Sequence, residues 1–370
     1  MKILVLTGKF NMGHNAAAQS LKQELILSYP DAIVEVEDFL SNAIPGMEQA
    51  VYKLFQLFVT HAAGLYNAFY RLTERGTGDT LPVYARPLLR AMEELLRERE
   101  PEVVIATHPL CAQLVGRCKR RRRFSGVLLT CVTDVTGHGE WLCRECDGYL
   151  VGDKAVKDAF VKRGVDPQRI AVTGIPVRRE FKEAAGPHPA GEKCLLIMGG
   201  GLGLLPKDDE FYRAVNALPG VKTTLITGGN RKLFDRLAGK YPNIQVLGYT
   251  PEVYAYMGRS DLVLSKPGGA TTFEAIFSAT PMLAWEPIWE QERRNADFLL
   301  REGIGRVAGR DKEACLRALE ELLGDPTALA EMSRRMKTLR GKLAERGLEE
   351  LMNQLLDQPS GRPAKERKYA

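Results

Sequence analysis

The stretch DLVLSKPGGATTFEAIFSATPMLAWEPIWEQERRN, Asp261 to Asn295, decides the fold of this chain. Its apolar run Leu262 to Leu264 is followed by Lys266-Pro267-Gly268-Gly269 and a helical segment opening near Ala270. Strand, tight glycine turn and helix start, in that order, turn bare N–H groups and a positive dipole end toward an anion. Gly268 and Gly269 let the backbone approach a phosphate because no Cβ intervenes. Thr271 adds a hydroxyl donor, and Glu274, one turn later, places a carboxylate where it can accept from a vicinal diol such as a ribose. A second apolar run, Met282 to Ala284, leads to Pro287, after which Gln291, Glu292 and Asn295 recur at near-helical spacing. A Gly-Gly turn alone is a common connection. Two polar clusters after two consecutive strands are more than that, because open parallel sheets bind ligands at the carboxyl ends of their strands. The stretch reads as a nucleotide-binding half-site.

The same alternation runs outward in both directions. Cys194 to Met198 reads as a strand before Gly199-Gly200-Gly201-Leu202-Gly203, and strands follow at Thr223–Thr227 and Ile244–Leu247, the latter ending in Gly248-Tyr249. At the other end Lys2 to Thr7 is a buried-type strand, Gly8 to His14 a loop, and Asn15-Ala16-Ala17-Ala18 opens a helix reaching about Ser28. His14 then stands in a helix's first turn at the sheet's carboxyl edge, where an imidazole can take a proton at neutral pH; the plainer reading is a structural or merely exposed histidine. Val103 to Ala106 ends in Thr107-His108-Pro109, and Val127 to Val132 delivers Thr133-Asp134, Gly137-His138 and Trp141. Asp134 either orients the His14 imidazole, serves as base itself, or only shapes its loop. Ile170 to Thr173 ends in Gly174-Ile175-Pro176-Val177-Arg178, whose guanidinium fork suits a diphosphate. The class is α/β, with two doubly wound domains. We expect residues 1–180 as the first domain, 181–192 as a Gly/Pro-rich linker, 193–325 as the second domain, 326–357 as C-terminal helices and 358–370 as a disordered basic tail.

With 370 residues, 45% hydrophobic and 26% charged, the chain has the composition of a globular protein of two ordinary domains. A net charge of +6 permits an anionic partner without demanding nucleic acid. No Walker A lysine pattern and no dinucleotide fingerprint occurs, which argues against ATP and NAD. The opening MKILVLTG is too short an apolar run for a signal peptide, and no apolar run approaches the ~20 residues that span a bilayer. Seven cysteines suggest free thiols in a reducing cytoplasm. Cys143-x-x-Cys146, with His138 and Cys131 upstream, lacks the second pair of a zinc site, so no metal is expected. From Gly46 to Arg75, Val51, Tyr52, Leu54, Phe55, Leu57, Phe58, Val59, Leu65, Tyr66, Phe69 and Tyr70 cover more than one helical face. Either a buried hairpin broken near Gly64 or a lipid-facing surface accounts for this. The run Arg117-Cys118-Lys119-Arg120-Arg121-Arg122-Arg123 is either a solvated helix end or a contact for an anionic membrane.

Lys266-Pro267-Gly268-Gly269-x-Thr271-x-x-Glu274, then Pro287 and Gln291-Glu292-x-x-Asn295-Ala296, resembles the donor half of glycosyltransferase family 28. Gly13-His14-Asn15-Ala16-Ala17-Ala18 is similar to that family's first motif, although Lys9-Phe10-Asn11-Met12 is poorer in glycine than usual. Thr133-Asp134-x-x-x-His138-x-x-Trp141 resembles the branch of monogalactosyldiacylglycerol synthases and processive diacylglycerol glycosyltransferases. The resemblance covers the chain through about residue 355. It implies a GT-B fold of two Rossmann-like domains facing a cleft. The implied chemistry is inverting, metal-independent transfer of a hexose from a UDP-sugar (a substrate, with no cofactor) to a diacylglycerol-type lipid hydroxyl. The implied place is the inner face of the cell membrane, as a peripheral protein with an anionic membrane surface as partner and no nucleic acid. It implies His14 and Asp134 as catalytic, with Gly13, Asn15, His138 and Trp141 on the acceptor side. It assigns the UDP-sugar to Arg178, Gly200, Gly201, Gly203, Gly248, Tyr249, Gly268, Gly269, Thr271, Glu274, Gln291, Glu292 and Asn295, with the uracil at Gly248-Tyr249. The rival readings are N-acetylglucosaminyl transfer to the undecaprenyl-linked peptidoglycan precursor, UDP-N-acetylglucosamine 2-epimerisation, and a non-catalytic UDP-sugar-sensing module. Sugar, processivity and oligomeric state stay open.

Overall fold

A computed structural model describes residues 1–10, 12–74, 76, 85–183, 191–201, 203, 205–309 and 311–357, apart from the side chains at positions 56, 59 and 60. Asn11, Val59's side chain, Arg75, Leu202, residues 184–190 of the expected linker and the expected tail lie outside that description. The chain divides into two compact units: residues 1–178 with the C-terminal segment from Leu343, and Arg179–Lys342.

In the first unit, β1 (Lys2–Thr7), α1 (Met12–Ser28), β2 (Ile33–Asp38), α2 (Phe39–Ala43), α3 (Glu48–His61), α4 (Ala63–Thr73), α5 (Arg86–Arg99), β3 (Val103–Ala106), α6 (Pro109–Arg120), β4 (Val127–Cys131), β5 (Gly148–Val151), α7 (Lys154–Lys162) and β6 (Ile170–Val172) follow in order. The strands form one parallel sheet in the order β2-β1-β3-β4-β5-β6. Continuous apolar runs such as Ile3–Leu6 are buried, as a sheet covered on both faces requires. Strand order reverses between β1 and β3, so the loops leaving these two strands flank a switch point.

The second unit runs α8 (Arg179–Glu183), β7 (Lys193–Met198), α9 (Asp209–Asn216), β8 (Val221–Ile226), α10 (Arg231–Leu237), β9 (Ile244–Leu247), α11 (Val253–Gly258), β10 (Leu262–Ser265), α12 (Gly269–Ser278), β11 (Met282–Ala284), α13 (Glu290–Glu302), β12 (Gly305–Val307), α14 (Lys312–Gly324) and α15 (Pro326–Arg340). Its sheet is also parallel, in the order β12-β11-β10-β7-β8-β9. Its switch point lies between β7 and β10.

Three features depart from the sequence reading. The helices of 326–357 do not form one block: α16 (Gly347–Leu356) returns to the first unit. There Leu348, Leu351 and Met352 join Ile3, Val5, Ile105, Leu129 and Leu150 in one core, and Tyr29 Oη donates to Asn353 Oδ1 at 2.8 Å. The expected linker begins inside structure, because α8 packs on the second unit through Phe181 against Tyr254, with ring centroids 6.2 Å apart. The break expected near Gly64 falls at Ala62, the residue between α3 and α4, and Gly64 is helical.

Candidate functional site

The first unit gathers its polar groups at the β1/β3 switch point. α1 begins at Met12, earlier than the loop reading, so Gly13 and His14 lie within its first turn and Ala17 and Ala18 are fully buried behind them. His14 Nδ1 is 2.7 Å from Thr133 Oγ1. Thr107 Oγ1 donates to the His14 carbonyl at 3.2 Å, tying the helix start to the end of β3. Burial lowers the His14 pKa to about 4, and a bond to the Thr107 carbonyl opposes that only in part. The imidazole is therefore unprotonated at neutral pH and able to accept a proton. One orienting contact comes from Thr133, one residue before Asp134. Asp134 is itself half-buried, and its charge, after burial, raises the carboxyl pKa of Glu140.

His138 and Trp141 are both 1% exposed. His138 Nε2 donates to the Tyr70 carbonyl at 2.8 Å, its ring stacks on Tyr70 at 3.9 Å, and Nδ1 accepts the Glu140 N–H at 3.2 Å. It thus anchors α4 to the β4 loop. The Trp141 ring lies 6.1 Å from that of His14. Gly13 and Asn15 are half-buried. The cysteines near this loop are buried thiols: Cys143 Sγ donates to Ala112 O and Cys146 Sγ to Gly148 O.

Sequence reasoning passed over Phe10 and His108. The His108 ring lies 4.8 Å from His14, edge to face, and stacks on Phe10 at 4.9 Å. Phe10 in turn meets Tyr52 at 4.9 Å and Phe55 at 5.0 Å on α3. Tyr52 Oη donates to Asp38 and accepts the Lys9 N–H at 3.1 Å. While α3 holds the β1 loop with one face, it exposes Leu54, Leu57 and Phe58 elsewhere, and α4 exposes Leu65, Phe69 and Leu72, the last at 83%. A fully buried hairpin is thereby excluded, although Tyr70 and Asn67 do face inward. In the basic run, Lys119 pairs with Asp147, Arg120 with Glu145 and Arg121 with Glu93, so much of its charge is already compensated.

The second unit places its glycine loops at and beside the β7/β10 switch point. Gly268 caps α12 with extended backbone and no side-chain bond to the helix N-terminus, and a Cβ on it would meet nothing within 4 Å. The first-turn amides of this ten-residue helix carry no side-chain cap, and space is open beside Gly268. After β7, Gly200 and Gly203 have φ of +67° and +60°, and a side chain on Gly203 would collide with the Thr227 carbonyl. Asn230 Nδ2 donates to Gly203 O at 3.0 Å, and the Gly229 N–H to Gly201 O at 3.1 Å, fixing this loop on the next one. Thr271 and Glu274 are half-buried in α12, and Gly248 and the 75%-exposed Tyr249 leave edge strand β9. Gln291, Glu292 and Asn295 share the start of α13, with Glu292 and Asn295 buried. Lys266 Nζ lies 3.0 Å from Glu292 Oε1 and 3.9 Å from the Trp289 ring centroid. Burial raises the Glu292 pKa despite Lys266. Lys266 and Trp289 were missed as site residues, though both stood in the quoted motif. Arg178 is half-buried at the end of the first unit.

Residues 14–177 match the family model described as monogalactosyldiacylglycerol (MGDG) synthase. A relative in Bacillus licheniformis, a processive diacylglycerol beta-glucosyltransferase, is 28% identical over 357 residues, covering 91% of this chain and 90% of its own length. Among solved structures, the glycotransferase of kitacinnamycin superposes with a TM-score of 0.64 at 17% identity, over 96% of this chain and 99% of that one. The UDP-GlcNAc 2-epimerase from Neisseria meningitidis, bound to UDP-GlcNAc, gives 0.59 at 13% identity, over 96% of this chain and all of its own. The two-domain α/β architecture is thus shown, while fold alone does not separate a transferase from an epimerase. The resemblance drawn from the motifs is borne out.

Proposed function

We propose that this chain, a member of the diacylglycerol-glycosyltransferase branch of glycosyltransferase family 28, moves a hexose from a UDP-sugar to the hydroxyl of a diacylglycerol-type lipid at a membrane surface. Neutral His14 removes the acceptor proton as the oxygen attacks the anomeric carbon, with inversion. Asp134, near Glu140, adds negative charge beside that step and is the competing base. The departing UDP is stabilised by the uncapped N-terminus of α12, the β7 glycine loop and Arg178. Glu274 holds the ribose, and Gln291, Glu292 and Asn295 border the sugar. We treat the UDP-sugar as substrate, with no added cofactor, since helix amides already oppose the diphosphate charge.

One observation carries this reading over epimerisation: the unit bearing His14 also displays the exposed apolar faces of α3 and α4, which an enzyme acting on a water-soluble sugar nucleotide does not need. Among the described residues no helix is long and apolar enough to cross a membrane, so we propose peripheral attachment through this face. Incubation with a panel of UDP-sugars and lipid acceptors, read by mass spectrometry with and without EDTA, tests the proposal. Glycolipid formation insensitive to EDTA is expected; UDP-sugar epimerisation without a lipid product would sink it.

A further inference from the structure

We propose that His108 is a positioning residue for His14, its ring forming a fixed wall that holds the His14 imidazole in one orientation against Thr133. The inference rests on the reading of His14 as the base.

His108 is itself held from two sides. It is the N-cap of α6, with Pro109 following, and its Nδ1 accepts the Leu110 N–H at 3.2 Å. Nδ1 is therefore unprotonated, and the neutral ring carries its proton on Nε2. Phe10 stacks on the ring at 4.9 Å with planes 28° apart. Ring tilt and tautomer are thus both set before His14 is considered. The His14 ring meets this wall at 4.8 Å and 77°, the edge-to-face arrangement aromatic rings favour, while its Nδ1 is taken by Thr133 on the β4 side.

Other titratable groups surround the pair. From β3 and α6 come His108 and the buried Cys111 thiol, whose Sγ lies 3.6 Å from the Thr7 carbonyl. From the end of β4 comes Asp134, adjacent to Thr133. Asp38 and Lys9 stand one step away, behind Tyr52. Burial, then the charge of His14, holds His108 well below its ordinary pKa, so the wall stays neutral when His14 accepts a proton. Because Phe10 also touches Tyr52 and Phe55, the same rings connect the base to the helix with the exposed apolar side.

Two variants separate wall from cap. His108→Asn keeps a favoured N-cap acceptor for the Leu110 amide but removes the ring. Its kcat is expected to fall by up to about 10²-fold, the loss typical of a misplaced catalytic group, with KM for the UDP-sugar unchanged. The His14 titration, followed by NMR, is expected to rise from about 4 toward 6.5 as water enters. His108→Phe keeps the ring and loses the cap, so Tm falls while the His14 titration stays low. An unmoved His14 titration in His108→Asn overturns the proposal, whatever kcat does, because a merely structural role gives that result. So does a titration in His108→Phe that rises toward 6.5, and this second variant decides alone if the first does not fold. A moved titration with unchanged kcat supports the positioning role and sinks His14 as base, so the two failures are distinguishable.

Discussion

Replacing Glu292 by glutamine probes the donor half most sharply. Lys266 and Glu292 are 23% and 10% exposed and 3.0 Å apart. Desolvating such a pair costs about as much as the attraction returns, and here burial wins, since the Glu292 pKa is raised despite its cationic neighbour. A carboxyl whose folded pKa lies above its unfolded value contributes stability that is full below about 4.5 and lost as pH rises through the folded value. At pH 7 the ionised group is therefore no asset to the fold. Glutamine removes the charge, keeps the shape and still offers Lys266 an oxygen. The unfolding free energy should stay within about 1 kcal/mol of wild type. The loss should appear in binding. Lys266 O accepts the Gly268 N–H at 2.8 Å, so anchoring Lys266 between Glu292 and Trp289 fixes the turn that presents α12. Weakening a charge-assisted bond by about 1–2 kcal/mol corresponds to roughly 5–30-fold in the Kd of UDP. Urea unfolding and calorimetry on Glu292→Gln, Lys266→Met and the double variant close a cycle. Unchanged UDP affinity with a stability loss above about 3 kcal/mol, or strictly additive binding effects, would refute the reasoning.

His14→Ala should lower kcat by about 10²–10⁴-fold with UDP affinity intact, and the wild-type rate should hold until pH approaches about 4, where the half-buried imidazole protonates; a wild-type midpoint near 6.5 would contradict its lowered pKa. Glu274→Ala should weaken UDP binding by about 1–3 kcal/mol, which calorimetry on the folded variant measures. Leu57→Ser combined with Phe69→Ser should reduce liposome co-sedimentation at least tenfold, since each buried apolar side chain is worth about 1.5–3 kcal/mol. Truncation after Leu343 removes Leu348, Leu351 and Met352 from the first core and should abolish cooperative unfolding of that unit, because about 5–9 kcal/mol of apolar burial rivals the whole stability of a domain; a native-like melt of the shortened chain would show that α16 is dispensable.

Much of this was legible because the signals are local. A buried parallel strand is a short apolar run, and a glycine turn before a helix reads directly, so Met282–Ala284 and the turn at Gly268 lie where the sequence put them. What was hidden depends on contacts between distant segments. Thr133 reaches His14 Nδ1, and a strand's end fixes which side chains face the neighbouring loop. The anchoring partner of His138 was hidden too, since only the fold brings the Tyr70 carbonyl to its Nε2. The return of α16 had no local sign at all; its amphipathic pattern suits any apolar surface. One signal was available and passed over: a histidine directly before Pro109, at the end of a buried strand, matches a helix N-cap at a sheet's carboxyl edge.

The basic run and the aromatic-rich helices looked alike as membrane signals, and the structure separates them. A cation that already has a carboxylate partner gains little from an anionic headgroup, because moving to the lipid means giving up an existing attraction. Lys119, Arg120 and Arg121 are in that position. The exposed leucines and phenylalanines of α3 and α4 surrender only water. Their transfer free energy is nearly independent of salt, whereas a headgroup attraction decays within a Debye length of about 8 Å at physiological ionic strength. Attachment driven by this face should thus survive salt that would strip a polybasic contact. Such attachment would place its force on α3, the helix whose Tyr52 and Phe55 meet Phe10, which stacks on His108 beside His14.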